Sequence, residues 1–161
     1  MQNVTMKNLY KKKPNRHIKS SLCVIINTMN FNPSQNEINF VNNALAKFND
    51  ENVGPDNHEF LNIVEYDENH NVIAGILGGT YWGWMHIDIL WVEEKYRRQG
   101  FGSKLLEAAE AEAQKRGCHS VHVDTMSWQA PEFYKKHGYK IISELNDIPA
   151  GNKKFHLVKE L

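Results

Sequence analysis

The segment Arg97-Arg98-Gln99-Gly100-Phe101-Gly102 joins two cations to two glycines one residue apart, between an apolar run ending at Val92 and a long amphipathic stretch. That order describes a strand, a short loop and the start of a helix. The first-turn N–H groups of a helix have no partner within it, and the macrodipole places about half a positive charge there. Glycine lets a ligand approach the backbone, so the chemistry expected is the holding of an anion such as a pyrophosphate. Two familiar phosphate loops do not fit. A P-loop needs Lys and then Ser or Thr directly after its second glycine, whereas here Ser103 precedes Lys104 and the four-residue glycine spacing is missing. The dinucleotide fingerprint asks for a third Gly or Ala where Leu105 stands, and for an opening βαβ unit, whereas this loop follows an expected antiparallel hairpin.

Upstream, His86 and Asp88 stand two residues apart in a strand expected over Met85–Val92, so alternation projects both from one face. Such a pair can move a proton or simply brace the sheet, and the residues leave both readings open. Glu93 and Glu94 are expected to be solvated. Cys118, His119 and His122 have a spacing that suggests metal ligation, yet they span a helix end and an alternating strand and should point in different directions. No metal site is expected.

Downstream lies Ala130-Pro131-Glu132-Phe133-Tyr134-Lys135-Lys136-His137-Gly138-Tyr139. Together with R-x-x-G-x-G, the strand before it and the strand expected over Ser120–Thr125, this ordered set resembles the GNAT N-acetyltransferase superfamily. The second segment is similar to that family's A-x-x-F-Y-x-x-x-G-F/Y pattern. The resemblance runs from about Leu22 to Leu161 and is strongest from Leu90 to Tyr139.

The resemblance implies acetyl-CoA as co-substrate and an amine as acceptor. Arg97, Arg98, Gln99, Gly100, Phe101, Gly102 and Ser103 would hold the pyrophosphate, with Lys104 adding charge. The pantetheine arm would lie where the strand at Met85–Val92 splays from that at Ser120–Thr125, bonded near Trp91 and Val92, and the Val92 N–H would face the oxyanion. Tyr134 matches the family tyrosine that protonates the departing thiolate. His86 falls near where some relatives place a glutamate base, and Asp88 accompanies it. An alkylamine of pKa ~10.4 is neutral in only about one molecule in a few thousand at pH 7, a deficit of roughly 4–5 kcal/mol, so a base or water relay is useful. Many relatives carry Asn three residues before the matching alanine, where this chain has Ser127, and Ser127 or Gln129 would substitute. Trp82 and Trp84 flank a turn on the acceptor side and form a candidate wall for an amphipathic amine.

The elements that must position these groups are legible. Ser34 with Glu37 forms a capping-box signature before Ile38, Val41, Leu45 and Phe48, so a helix is expected over Ser34–Phe48. Leu22–Asn27 reads as a strand, and Phe60–Tyr66 with Val72–Tyr81 as a hairpin in which Gly78 and Gly79 bulge the second strand. Leu105, Leu106, Ala109 and Ala113 share one face of a helix from Gly100 to Arg116, stopped by Gly117. A short helix over Ala130–His137 and strands at Tyr139–Ser143 and Phe155–Val158 complete the expectation. The fold class is α/β of the α+β type, with a single mixed, mostly antiparallel sheet flanked by helices.

With 161 residues the chain suits one domain, expected over 22–161 after a basic leader at 1–21. The 19 Lys and Arg balance 19 Asp and Glu, which argues against a nucleic-acid binder. No apolar run reaches the roughly 18 residues that span a bilayer, so no membrane partner is expected. Two cysteines, Cys23 and Cys118, are too few for a disulfide scaffold, which points to the cytoplasm. The expected acceptor is a small-molecule amine. Protein N-terminal or lysine acetylation, and a non-catalytic acyl-CoA-binding module, are the alternatives, and a homodimer is compatible with either.

Overall fold

The computed structural model describes residues 29–161, so the basic leader and the strand expected at Leu22–Asn27 lie outside the described residues. Two compact units divide at Val41 and Asn42. In the first, the Ser34 N–H donates to Glu37 Oε2 at 2.7 Å, and the Glu37 N–H donates back to Ser34 Oγ at 3.4 Å. This capping box opens helix α1 (Gln35–Val53), and the Ser34 hydrogen bonds hold the Glu37 carboxyl below its usual range. The helix runs past Phe48 to Val53 because nothing breaks it before Gly54, whose φ of 81° ends it.

The second unit holds one six-stranded sheet. Strands β1 (Glu59–Tyr66), β2 (Val72–Tyr81) and β3 (Trp84–Val92) are followed by α2 (Phe101–Lys115), β4 (Ser120–Met126) and α3 (Pro131–Lys136), then β5 (Lys140–Asn146) and β6 (Lys153–Glu160). The spatial order is β1-β2-β3-β4-β6-β5, antiparallel at every step except β3 to β4. A parallel pair needs a crossover, and α2 supplies it. Its Leu105, Leu106, Ala109 and Ala113 are buried in one cluster with Leu61, Ile76, Met85, Ile87, Val121 and Val123 of the first four strands. Each fully buried Leu, Ile, Met or Val side chain there contributes about 1.5–3 kcal/mol. Glu110 on the same helix accepts the Tyr139 hydroxyl at 2.9 Å and the Lys159 ammonium at 2.6 Å, tying α2 to β6. Among the described residues no helix is long and apolar enough to cross a membrane.

The bulge expected in β2 lies instead in β3. Leu77 pairs with Ile89 and Gly78 with Ile87, which leaves Asp88 as the extra residue. Gly78 permits it: a Cβ there would stand 2.0 Å from the His86 carbonyl oxygen, so the two backbones approach only because residue 78 has no side chain. The bulge also switches the inward phase of β3, from Met85 and Ile87 before it to Leu90 and Val92 after it. Gly78→Ala should therefore lower unfolding free energy by about 2–4 kcal/mol, measured by urea denaturation, and an unchanged midpoint would contradict the backbone approach.

Candidate active site

β3 and β4 are paired only from Trp84–Ser120 to Ile87–Val123. Beyond that point β3 stays on β2 and β4 stays on β6, so the two strands part and leave backbone edges facing a gap. The bulge at Asp88 sits where the parting begins. One groove of about 930 Å³ occupies the gap and runs to the start of α2, lined among others by Trp91, Val92, Arg97, Arg98, Gly100, Phe101, Gly102, Ser103 and Tyr134. Most of the residues expected at a cofactor site thus share one surface.

At the start of α2, Arg98 and Gly100 both take left-handed φ values, 61° and 90°, and turn the chain sharply into the helix. The first helical bond is from the Lys104 N–H to the Gly100 carbonyl at 3.0 Å. The N–H groups of Phe101, Gly102 and Ser103 precede it and have no partner within the helix. The Arg97 guanidinium donates through Nε to the Val92 carbonyl at 3.0 Å, bracing the loop against the end of β3. Gln99 donates to the Lys95 carbonyl at 2.8 Å and lies outside the groove lining. Lys104, expected to add positive charge, is ion-paired to Glu65 on β1 at 2.6 Å and also lies outside it. Ser103 Oγ lies 2.9 Å from His137 Nε2, and His137 Nδ1 lies 2.8 Å from the Phe133 carbonyl. With Nδ1–H donating to that carbonyl, the Ser103 hydroxyl donates to Nε2, so its backbone N–H is the donor it has left for an anion.

Tyr134 projects from α3 into the groove and is 5% exposed. Burial pushes its phenol up to about 12, so it keeps its proton throughout the neutral range. Ser127 is committed elsewhere: it bonds Asn152 at 3.4 Å and accepts the Lys153 N–H at 3.2 Å, and it does not line the groove. Gln129, Trp128 and Tyr96 do line it. Gln129 Oε1 accepts the Met126 N–H at 2.8 Å, which leaves its amide N–H groups to the groove side.

On the other face of the parting strands, a cavity of about 480 Å³ is lined by His86, Asp88, His122, Asp124, Lys154 and His156, and it shares Ile87, Asp88, Asp124, Thr125 and Gln129 with the first groove. His86 Nε2 and Asp88 Oδ2 are 3.5 Å apart, so the expected pair forms despite the bulge. His86 Nδ1 is buried with no hydrogen-bond partner among the described residues. Gly79 makes room for this ring, since a Cβ there would lie 2.9 Å from His86 Cε1. Asp124, not singled out from the sequence, faces both cavities, and its Oδ1 stands 2.6 Å from His156 Nδ1. Burial works against its charge, but Lys154 and His156 outweigh that and hold the carboxyl below its usual range. The available signal was the strand alternation that sets Asp124 on the face of His122.

Trp82 and Trp84 line a further cavity of about 600 Å³ that shares His122, Asp124 and His156 with the previous one. Cys118 is buried in the core, whereas His122 lies on the opposite face against Tyr81, 3.2 Å from its hydroxyl. Among the described residues no three His, Cys, Asp or Glu side chains are grouped as a metal ion requires.

Comparison with known proteins places this geometry. Residues 27–139 match the model of the acetyltransferase (GNAT) family. Over 95 residues the chain is 40% identical to blasticidin-S acetyltransferase of Streptomyces morookaense, covering 58% of this chain and 70% of that protein. It is 34% identical over 111 residues to an acetyltransferase of Agrobacterium fabrum, covering 69% of this chain and 81% of that one. The crystal structure of an acetyltransferase from Bacillus cereus superposes with a TM-score of 0.78 at 33% identity, covering 83% of this chain and 98% of the other. On the family match and these identities, the chain belongs to the GNAT family as an acetyl-CoA-dependent N-acetyltransferase.

Proposed function

We propose that this enzyme moves the acetyl group of acetyl-CoA directly to a primary amine of a small molecule. The observation that carries this reading is the meeting of two cavities at Asp88, Asp124 and Thr125, one on each side of the gap between β3 and β4. A donor arm in the larger groove and an acceptor in the smaller cavity would face one another through that gap without a covalent enzyme intermediate. The pyrophosphate would rest on the N–H groups of Phe101, Gly102 and Ser103, with Arg97, Arg98, Gln99 and Gly100 shaping the loop. Pantetheine would follow the free edge of β3 at Trp91 and Val92, with Gln129 better placed than Ser127 to bond it. Tyr134 would protonate the leaving thiolate, and the His86–Asp88 pair would receive the amine. A small acceptor is favoured by the cavity edged by Tyr81, Trp82 and Trp84 and by the blasticidin-S acetyltransferase likeness. A cytoplasmic location suits a chain with only two cysteines.

The test is release of CoA thiol from acetyl-CoA over a panel of small amines, blasticidin S among them, against peptides with free N-termini. Turnover on small amines is expected. Turnover on the peptides alone would replace the small-molecule reading, and acetyl-CoA binding without turnover on any acceptor would replace it with a non-catalytic module. Trp84, set against His119 and His122 with ring centroids 5.4 and 6.3 Å away, carries a prediction about selectivity. Trp84→Ala should raise KM about 10-fold for amphipathic amines and little for short aliphatic ones, the loss of one aromatic contact worth ~1.4 kcal/mol. An unchanged KM across the panel would remove Trp84 from the acceptor wall.

A further inference from the structure

His122 belongs to no metal-holding group among the described residues, and none of the roles proposed for Tyr134, His86 and Asp88 falls to it. It stands on β4 beside His86 on β3, at the last turn of pairing before the strands part, and lines both cavities on the acceptor side. We infer that His122 takes the proton from the acceptor ammonium, with Tyr81 holding its far nitrogen, an inference that rests on the amine-acetylating reading above.

The two histidines differ in the partners of their ring nitrogens. His86 has Nε2 toward Asp88, but its Nδ1 is buried without an acceptor, so the imidazolium would leave a buried N–H unbonded. His122 has no such orphan atom: Nε2 lies 3.2 Å from Tyr81 Oη, an oxygen able to accept an Nε2–H in both protonation states, and the proposed role takes that tautomer. Nδ1 is then the nitrogen left to gain and lose a proton. The groups around it are Tyr81 from β2, Trp84, His86 and Asp88 from β3, Asp124 on its own strand and His156 from β6. Burial, reinforced by His86, holds the imidazole below its ordinary 6.5, against the pull of Asp124 and Asp88. It is therefore neutral and receptive at pH 7.

The protons balance. One N–H bond of the ammonium breaks, its electron pair stays on nitrogen, and the proton goes to His122 Nδ1. The lone pair attacks the thioester carbon, the C–S pair leaves on sulfur, and the thiolate takes the Tyr134 hydroxyl proton. A second proton, lost from the same nitrogen as the amide forms, restores Tyr134 through solvent, and His122 releases its own. One ammonium yields one amide, one thiol and one free proton.

The experiment is the pH profile of kcat/KM on the fastest amine of the panel. The wild-type enzyme should reach a plateau above an acid limb lying below pH 6.5. In His122→Gln, log(kcat/KM) should instead climb with pH toward the amine pKa, with a loss of about 10²-fold at pH 7 that shrinks on the alkaline side. Tyr81→Phe, which keeps the ring and removes the acceptor of Nε2–H, should move the acid limb to lower pH. A wild-type profile without an acid limb, or one that His122→Gln leaves in place, overturns the inference. Should His122→Gln fail to fold, the Tyr81→Phe shift decides. If no amine is turned over, the functional reading fails separately, and an NMR titration of the wild-type imidazoles still judges this inference: His122 must titrate reversibly in the folded enzyme.

Discussion

Replacing Tyr134 by Phe is expected to lower kcat about 10³-fold while leaving the Kd for CoA within about 2-fold, in the range that a positioned general acid supplies. The hydroxyl sits in the groove on a ring that is otherwise buried, so the substitution removes one polar atom and keeps the packing. With the phenol pushed up to about 12, full transfer to a free thiolate of conjugate-acid pKa ~8.5 is uphill by about 3.5 units, or ~5 kcal/mol. That gap narrows for a thiolate formed in the same groove, because burial that disfavours a phenolate disfavours a thiolate too. The proton should therefore move as the C–S bond breaks and not before. The sign also fixes a pH consequence: a raised phenol stays protonated to about pH 12, so any alkaline decline of kcat well below that must come from another group. Thiol release by stopped assay and CoA affinity by calorimetry check both halves. Full activity in Tyr134→Phe would remove the acid role, and a collapse of CoA affinity would make the tyrosine a binding residue.

The parts of this site that could be read from the sequence are those fixed by local backbone rules. Gly100 had to follow a strand and begin a helix, and Gly102 had to leave its first turn bare. Leu105, Leu106, Ala109 and Ala113 recur at helical spacing, and all four are buried. The capping box at Ser34 and Glu37 is likewise a contact between residues three apart. The end of α1 was less legible because polar residues at 50–52 suit a helix as well as a loop, and only Gly54 terminates it.

Features decided by distant partners could not be read in this way. Whether Gly78 and Gly79 bulged their own strand or accommodated a bulge opposite depended on the register with β3, and the extra residue proved to be Asp88. Lys104 follows the glycine loop as a phosphate neighbour would, but Glu65 on β1 holds it. Ser127 stood in the right place along the chain, but Asn152 and Lys153 return beside it and take its hydroxyl. Asp124 and His122 gained their relation to the site only through pairing of β4 with both β3 and β6, which places His86, His122, Asp124 and His156 around one cavity.

Gly102→Glu is expected to weaken CoA binding about 10³-fold with little loss of stability. Gly102 is the second residue of α2, and a Cβ there would meet the Phe133 ring at 3.5 Å and Val92 Cγ2 at 3.8 Å, ordinary contact distances. A side chain at this position is thus tolerated by the protein, and a carboxylate near a helix N-terminus is favourable to the helix itself. The cost falls on the ligand. The glutamate would occupy the groove beside the unbonded N–H groups and oppose the pyrophosphate, and two unit charges 4 Å apart at an effective dielectric of 20 repel by about 4 kcal/mol, or roughly 10³ in Kd. Gly102→Ala supplies the steric control and should retain CoA affinity within about 10-fold. Gly102→Gln separates charge from bulk, since it fills the same space without repelling a phosphate. Equal loss in Glu and Gln variants would assign the effect to volume, and intact affinity in Gly102→Glu would move the anion away from the start of α2. Raised salt should recover part of the affinity of the Glu variant only, because screening acts on the repulsion and not on the contact.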